Sequence, residues 1–96
     1  MKYEIILASE AVDDLRRLPA NIRSAVKDGI ERHLRYAPSR VSKSRIKRLE
    51  GISKPQFRLR IDDVRVFYDI EGYRVHVLAI LAKPDAQRWL AEMGEP

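Results

Sequence analysis

The sequence predicts an α+β fold: an N-terminal strand and a helical hairpin packed on one face of an antiparallel sheet, with a short C-terminal helix. Three observations carry this. Ile22, Val26, Ile30 and Leu34 recur every four residues, which is one buried face of a helix. In FRLRIDDVRVFY, residues 57 to 68, the period becomes two on both sides of Asp62-Asp63, which reads as a β-hairpin. Helices therefore group early and strands late, the order of an α+β chain and not of an interleaved α/β one.

Lys2 to Ala8 reads as the first strand. Ser9 suits the N-cap of a first helix, and Glu10, Asp13 and Asp14 put negative charge in its first turn. Ala11, Leu15 and Leu18 give that helix an apolar stripe. Pro19 ends it and also fits the start of the next. The second helix runs to about Arg35 with Ala25 and Gly29 beside its stripe. A glycine inside a helix costs roughly 1 kcal/mol relative to alanine, so Gly29 marks a close helix–sheet contact. Tyr36 to Gly51 is a connection, Ile52 to Lys54 a link, and Pro55 opens the next strand. The hairpin runs to about Ile70, and Glu71-Gly72 turns the chain with a glycine where positive φ is needed. Tyr73 to Ala82 is apolar on both faces, as a central strand covered on both sides would be. Lys83-Pro84-Asp85 stops it. Pro84 starts a last helix through Met93, with Trp89 and Leu90 as its apolar members, and Gly94 ends it.

At 96 residues the chain reads as one domain, 1–96, with a core but little spare stability: a chain this size buries somewhat over ~60% of its unfolded surface. Lys and Arg number 19 against 14 Asp and Glu, so the formal net charge is +5. That balance favours polyanionic partners: nucleic acid, an acidic membrane surface or an acidic protein. Without cysteine there is neither a disulfide framework nor a Cys-ligated metal site. His33 and His76 stand alone and make no zinc site, so no metal and no cofactor is expected. The apolar run Ile5 to Ala8 is too short for a signal peptide or a membrane span, and the expected location is the cytoplasm.

Alternation sends Phe57, Leu59 and Ile61 to a core and stands Arg58 and Arg60 on the other face, where Arg65 joins them if the register allows. With both helices on the first face, the second is left to these arginines. Three guanidiniums on one face repel each other, and a fold tolerates them best when an anion sits there. The planar guanidinium fork suits phosphate. The competing reading is a solvated face of an antiparallel sheet. The connection carries Arg40, Lys43, Arg45, Lys47 and Arg48 with no acid before Glu50. It is either a solvated loop or a footprint for a nucleic-acid backbone. Cleavage of RNA by its own 2′-hydroxyl needs that hydroxyl deprotonated, the phosphorane stabilised and the leaving 5′-oxygen protonated. Crowded cations do the second directly. A lysine among arginines has its pKa lowered and can exchange protons, and Lys83 stands at a strand end near this sheet. Trp89 can stack on a base or pack its helix on the sheet. His76 is either a general base or a satisfied strand histidine.

Four segments resemble the RelE/ParE superfamily of toxin–antitoxin toxins: YEIILASEAVDDLRRLP at the start, RLEG at 48–51, FRLRIDDVRVFYDI at 57–70 and VHVLAILAKPDAQRW at 75–89. The specific part is the pair of strands, basic-x-basic, turn, x-Arg-Val-x-Tyr, followed by an aliphatic strand. The resemblance implies the RelE-like microbial RNase fold and a small acidic or partly disordered antitoxin that wraps and neutralises the toxin, as a hetero-oligomer. For RelE-like members it implies mRNA cleavage in the ribosomal A site; for ParE-like members, poisoning of DNA gyrase. A nucleic-acid-binding module without catalysis is a third possibility from the residues themselves. By position, Arg58, Arg60 and Arg65 match the catalytic sheet residues, Lys83 the basic group after the last strand, and Trp89 the C-terminal aromatic. Arg45, Lys47 and Arg48 would add backbone contacts. The chain departs from the family in having tryptophan where tyrosine is common, and Pro84-Asp85 where basic residues often follow.

Overall fold

The computed structural model describes residues 1–96. Its elements are β1 (Glu4–Leu7), α1 (Ser9–Arg17), α2 (Ala20–Leu34), β2 (Ile46–Arg48), β3 (Phe57–Ile61), β4 (Val64–Glu71), β5 (Arg74–Ala82) and α3 (Lys83–Met93). The five strands form one sheet in the order β1-β5-β4-β3-β2. Strands β2 to β5 pair antiparallel, whereas β1 joins β5 in parallel, Ile5 beside Val75 and Leu7 beside Val77. The sheet is therefore mixed within the expected α+β class. No helix is long and apolar enough to cross a membrane.

Helix α1 lies over β5 and β1, and α2 over β3. Their stripes, Ala11 and Leu15 with Val26, Ile30 and Leu34, enclose one core with Leu59, Ile61, Val64, Val66, Tyr68, Val75, Val77 and Ile80. Gly29 sits where α2 comes closest: a Cβ there would stand 2.5 Å from Ile61 Cδ1 and 2.8 Å from Cγ1. The buried Tyr68 hydroxyl donates to the Pro38 carbonyl at 2.6 Å, which ties the start of the basic connection to the core.

The structure corrects three expectations. First, part of the connection is a strand. In β2, Ile46 is buried opposite Leu59, while Lys47 and Arg48 are exposed. Three residues in a run of cations show too little alternation to be seen alone. Second, Ser9 is the first residue of α1 and not its cap. Ala8 occupies the cap position, and Ser9 Oγ donates to Glu10 Oε1 at 2.9 Å. Glu10 is the one acid in the first turn; Asp13 and Asp14 lie beyond it, and Asp14 Oδ2 accepts from the Ile80 N–H at 3.0 Å. That bond sits beside a β-bulge at Leu78, where Phe67 pairs with Ala79 but Tyr68 with Val77.

Third, the sheet's second face is not left to arginines. Helix α3 packs on it, burying Phe67, Ala79 and Ala86 with help from Leu49, Leu81, Trp89 and Leu90. The bulge makes this possible by turning Ala79 toward α3 while Val77 and Ile80 keep to the main core. Both ends of α3 are tethered. The Lys83 N–H donates to the Asp63 carbonyl at 2.7 Å, and Glu95 exchanges backbone bonds with Ser53 and Lys54. Gly94 follows the helix in an extended conformation with its N–H on the Leu90 carbonyl, and the position suits glycine because a Cβ would stand 2.5 Å from that oxygen, not because of a positive φ.

Gly29→Ala tests the helix–sheet contact. Overpacking costs roughly 1–3 kcal/mol against about 1 kcal/mol of regained helix propensity, so the variant should lose up to ~2 kcal/mol. Ile61→Val removes the Cδ1 atom that the new methyl meets. Chemical denaturation should find the double variant more stable than the sum of the single changes requires.

Candidate nucleic-acid interface

The β3–β4 ladder pairs Arg60 with Arg65 and Arg58 with Phe67; the β2–β3 ladder pairs Lys47 with Arg58. Cross-strand partners project from the same face. Lys47, Arg58, Arg60 and Arg65 therefore stand together on the side that carries α3. None of them belongs to an ion pair: the protein's salt bridges join other residues.

Arg58 is half-buried, and its Nε is buried with no hydrogen-bond partner. Burial, and then the positive charges of Arg65 and Arg60, push its pKa below the ordinary guanidinium range. Every one of those influences opposes the charge that the residue carries, and an anion would reverse them. Arg65 is held differently. It is only 8% exposed, and one terminal nitrogen donates to the carbonyls of Asp62 at 2.9 Å and Val64 at 3.2 Å. Asp62 has φ +51, in the left-handed region that Asp tolerates better than most residues. The hairpin turn thus fixes Arg65 in place. Arg60 and Lys47 are exposed.

Lys83 is exposed at the first position of α3, and its N–H is bound to the same turn that orients Arg65. Trp89 stacks on Phe67, with ring centroids 5.1 Å apart and planes 14° from parallel. Phe67 is the cross-strand neighbour of Arg58, so this stack forms an apolar wall beside the guanidinium. The indole also lines a cleft with Pro55, Leu78 and Met93.

The basic connection is divided. Lys47 joins the arginine face. Arg48 projects to the opposite face, where its guanidinium lies over the Phe57 ring at 5.1 Å. Arg45 sits at the sheet edge, its carbonyl accepting from the Arg60 N–H at 2.8 Å, and lines a separate groove beside α2. His76 lies 3.9 Å from Glu71 in another cleft with Gln56 and Asp69. Phe67 was the residue whose role the sequence hid. An aromatic at an arginine-face position of the alternation was the signal that part of that face is covered.

A family model described as the ParE toxin of the type II toxin–antitoxin system, parDE, matches residues 5–85. No curated protein sequence matches significantly. Among solved structures, a mutant of E. coli toxin RelE in the free state is 21% identical with a TM-score of 0.70, covering 96% of this chain and 94% of that one. The toxin–antitoxin complex RelBE2 from Mycobacterium tuberculosis is similar at 28% identity and TM-score 0.66, covering 85% of this chain and 99% of that chain. The RelB–RelE antitoxin–toxin complex from Methanococcus jannaschii is similar at 20% and TM-score 0.66, covering 88% and 96%. With a family match that spans most of its length on a fold shared with RelE, the chain belongs to the ParE toxins of type II toxin–antitoxin systems, within the RelE/ParE superfamily.

Proposed function

We propose that this toxin is a ribosome-dependent mRNA endonuclease that blocks translation. The observation that carries the reading is Arg58: a half-buried guanidinium with an unpartnered Nε, flanked by Arg60, Arg65 and Lys47 and paired with no carboxylate. Such a group is held ready for an oxyanion that the protein itself does not supply. In this mechanism the scissile phosphate docks on Arg58. Arg65, already oriented by the turn, stabilises the charge that grows on the phosphorane, with Arg60 at the rim. The RNA 2′-oxygen bonds to phosphorus and loses its proton to water, the P–O5′ bond breaks, and the Lys83 ammonium protonates the departing 5′-oxygen. The products are a 2′,3′-cyclic phosphate and a free 5′-hydroxyl. Trp89 keeps the wall beside Arg58 dry and offers its cleft side to a base. The ribosomal A site as the place of cleavage is what the resemblance to RelE-like toxins implies.

Its partner in this reading is a cognate antitoxin, as in the M. tuberculosis and M. jannaschii relatives, which are toxin–antitoxin complexes. The net charge of +5 favours an acidic antitoxin segment. A second reading is ParE-like poisoning of DNA gyrase. It is favoured by the ParE description of the matching family and by the tryptophan and Pro84-Asp85 departures at the C-terminal end of the site.

Ribosomes programmed with mRNA separate the two. The wild-type protein should produce codon-phased breaks, and Arg65→Ala should reduce their rate by about 10²-fold or more, as for loss of one oxyanion donor. Inhibited supercoiling by gyrase without mRNA breaks would establish the second reading instead. Arg58→Met keeps the side-chain stem and removes the charge and the unpaired donor. It should abolish cleavage while raising stability by roughly 1 kcal/mol, the low end for a buried unsatisfied group. Undiminished cleavage by Arg58→Met overturns the proposal.

A further inference from the structure

We propose that the groove between the C-terminal turn of α2 and the segment 37–46 is a second phosphate site, which takes a backbone phosphate of RNA on the helical side of edge strand β2. Arg32, His33, Arg40, Ser42 and Arg45 line it, and no carboxylate does. None of its three arginines belongs to an ion pair. At about 310 Å³ it has the size of a small ligand pocket, enough for a phosphate with part of a nucleotide.

The groove is built, not a chance gathering of surface charge. Tyr68, fully buried, holds Pro38 through its hydroxyl, and the Arg40 N–H bonds the Ala37 carbonyl at 3.2 Å. The Ser42 N–H bonds the Ile46 carbonyl at 2.9 Å, and Ile46 is anchored in the core. Ser42 Oγ accepts from the N–H groups of Arg45 at 3.1 Å and Ile46 at 3.2 Å. Its lone pairs are thereby occupied and its own proton is left to donate to an oxyanion. His33 shares the groove with three arginines. Its pKa is lowered by partial burial first, then by Arg45 and Arg32. A bound phosphate opposes both charges and favours protonation of the imidazole, adding a donor to the site.

Guanidinium forks and a hydroxyl suit a phosphate oxyanion. The groove also abuts the arginine face. Arg45 lines it just before β2 and donates a terminal guanidinium nitrogen to the Arg60 carbonyl at 3.4 Å, and Lys47, two residues on, stands opposite Arg58. A polymer charged at every unit can pass around this edge from one site to the other. The identity of the polymer as RNA rests on the endonuclease reading; the phosphate site does not.

The chain has two histidines, His33 in the groove and His76 in a different cleft, so histidine NMR carries its own control. Inorganic phosphate, and at low salt a short 2′-O-methyl RNA that cannot be cleaved, should shift the His33 ring signals and raise its pKa while His76 stays still. Arg32→Ala with Arg40→Ala, both exposed positions, should abolish the His33 response. It should also reduce the slope of log affinity against log salt by about 1 and weaken RNA binding roughly tenfold. Arg58→Met should keep the His33 response to phosphate, so failure of the cleavage reading and failure of this one are separable. A silent His33 overturns the proposal. So does a response to inorganic phosphate but not to RNA, or to polyglutamate but not to RNA.

Discussion

The pairing of Arg60 with Arg65 across the β3–β4 hairpin governs both sides of the molecule. Side chains on a strand alternate, so this register sends Leu59, Ile61, Val64 and Val66 into the main core and Arg58, Arg65 and Phe67 to the other face. A slip of one residue would bury the guanidiniums and expose the aliphatic set. The apolar core thus holds the cationic face in position, and buried Phe67 reaches that face as the cross-strand partner of Arg58. The turn that closes the hairpin adds a second constraint. Its carbonyls orient Arg65 and receive the first N–H of α3. One short segment positions an arginine, a lysine and a helix.

Arg58 shows how the two faces trade stability for readiness. Beside it, Phe67, stacked on Trp89, presents apolar surface, and Arg60 and Arg65 add like charge. The molecule accepts this because the opposite face is closely packed, to the point that Gly29 has no room for a methyl group. A low-dielectric wall strengthens any ionic contact made there. The features that make Arg58 unfavourable in the free protein, burial and like charge, are ones that any anion brought against it would offset.

Edge strand β2 turns a positive run into an ordered surface. Three residues of strand suffice to send Lys47 to the arginine face and Arg48 across to Phe57. Arg45, at the edge, lines the groove with Arg32, His33 and Arg40 while a terminal nitrogen of its guanidinium donates to the Arg60 carbonyl at 3.4 Å. The same charges in a flexible loop would give only a diffuse field, which screens within about a Debye length. Fixed by Ile46 and by the Tyr68–Pro38 bond, they become a groove on one side of the edge and part of the arginine face on the other.

Local pattern alone determined the helices α1 and α2, the hairpin, the glycine-bearing turns and the identity of Arg58 and Arg60 as face partners, because periodicity and turn chemistry depend on near neighbours. It also marked Gly29 as a contact point. The parallel docking of β1 on β5, the strand character of β2 and the seating of α3 on the arginine face were decided by the tertiary structure. Each joins residues far apart in the chain, and nothing in Glu4–Leu7 or Ile46–Arg48 encodes its partner. The division of Lys47, Arg48 and Arg45 among three surroundings has the same origin. A run of cations states its charge in sequence, but the direction of each side chain comes from the strand it must pair with.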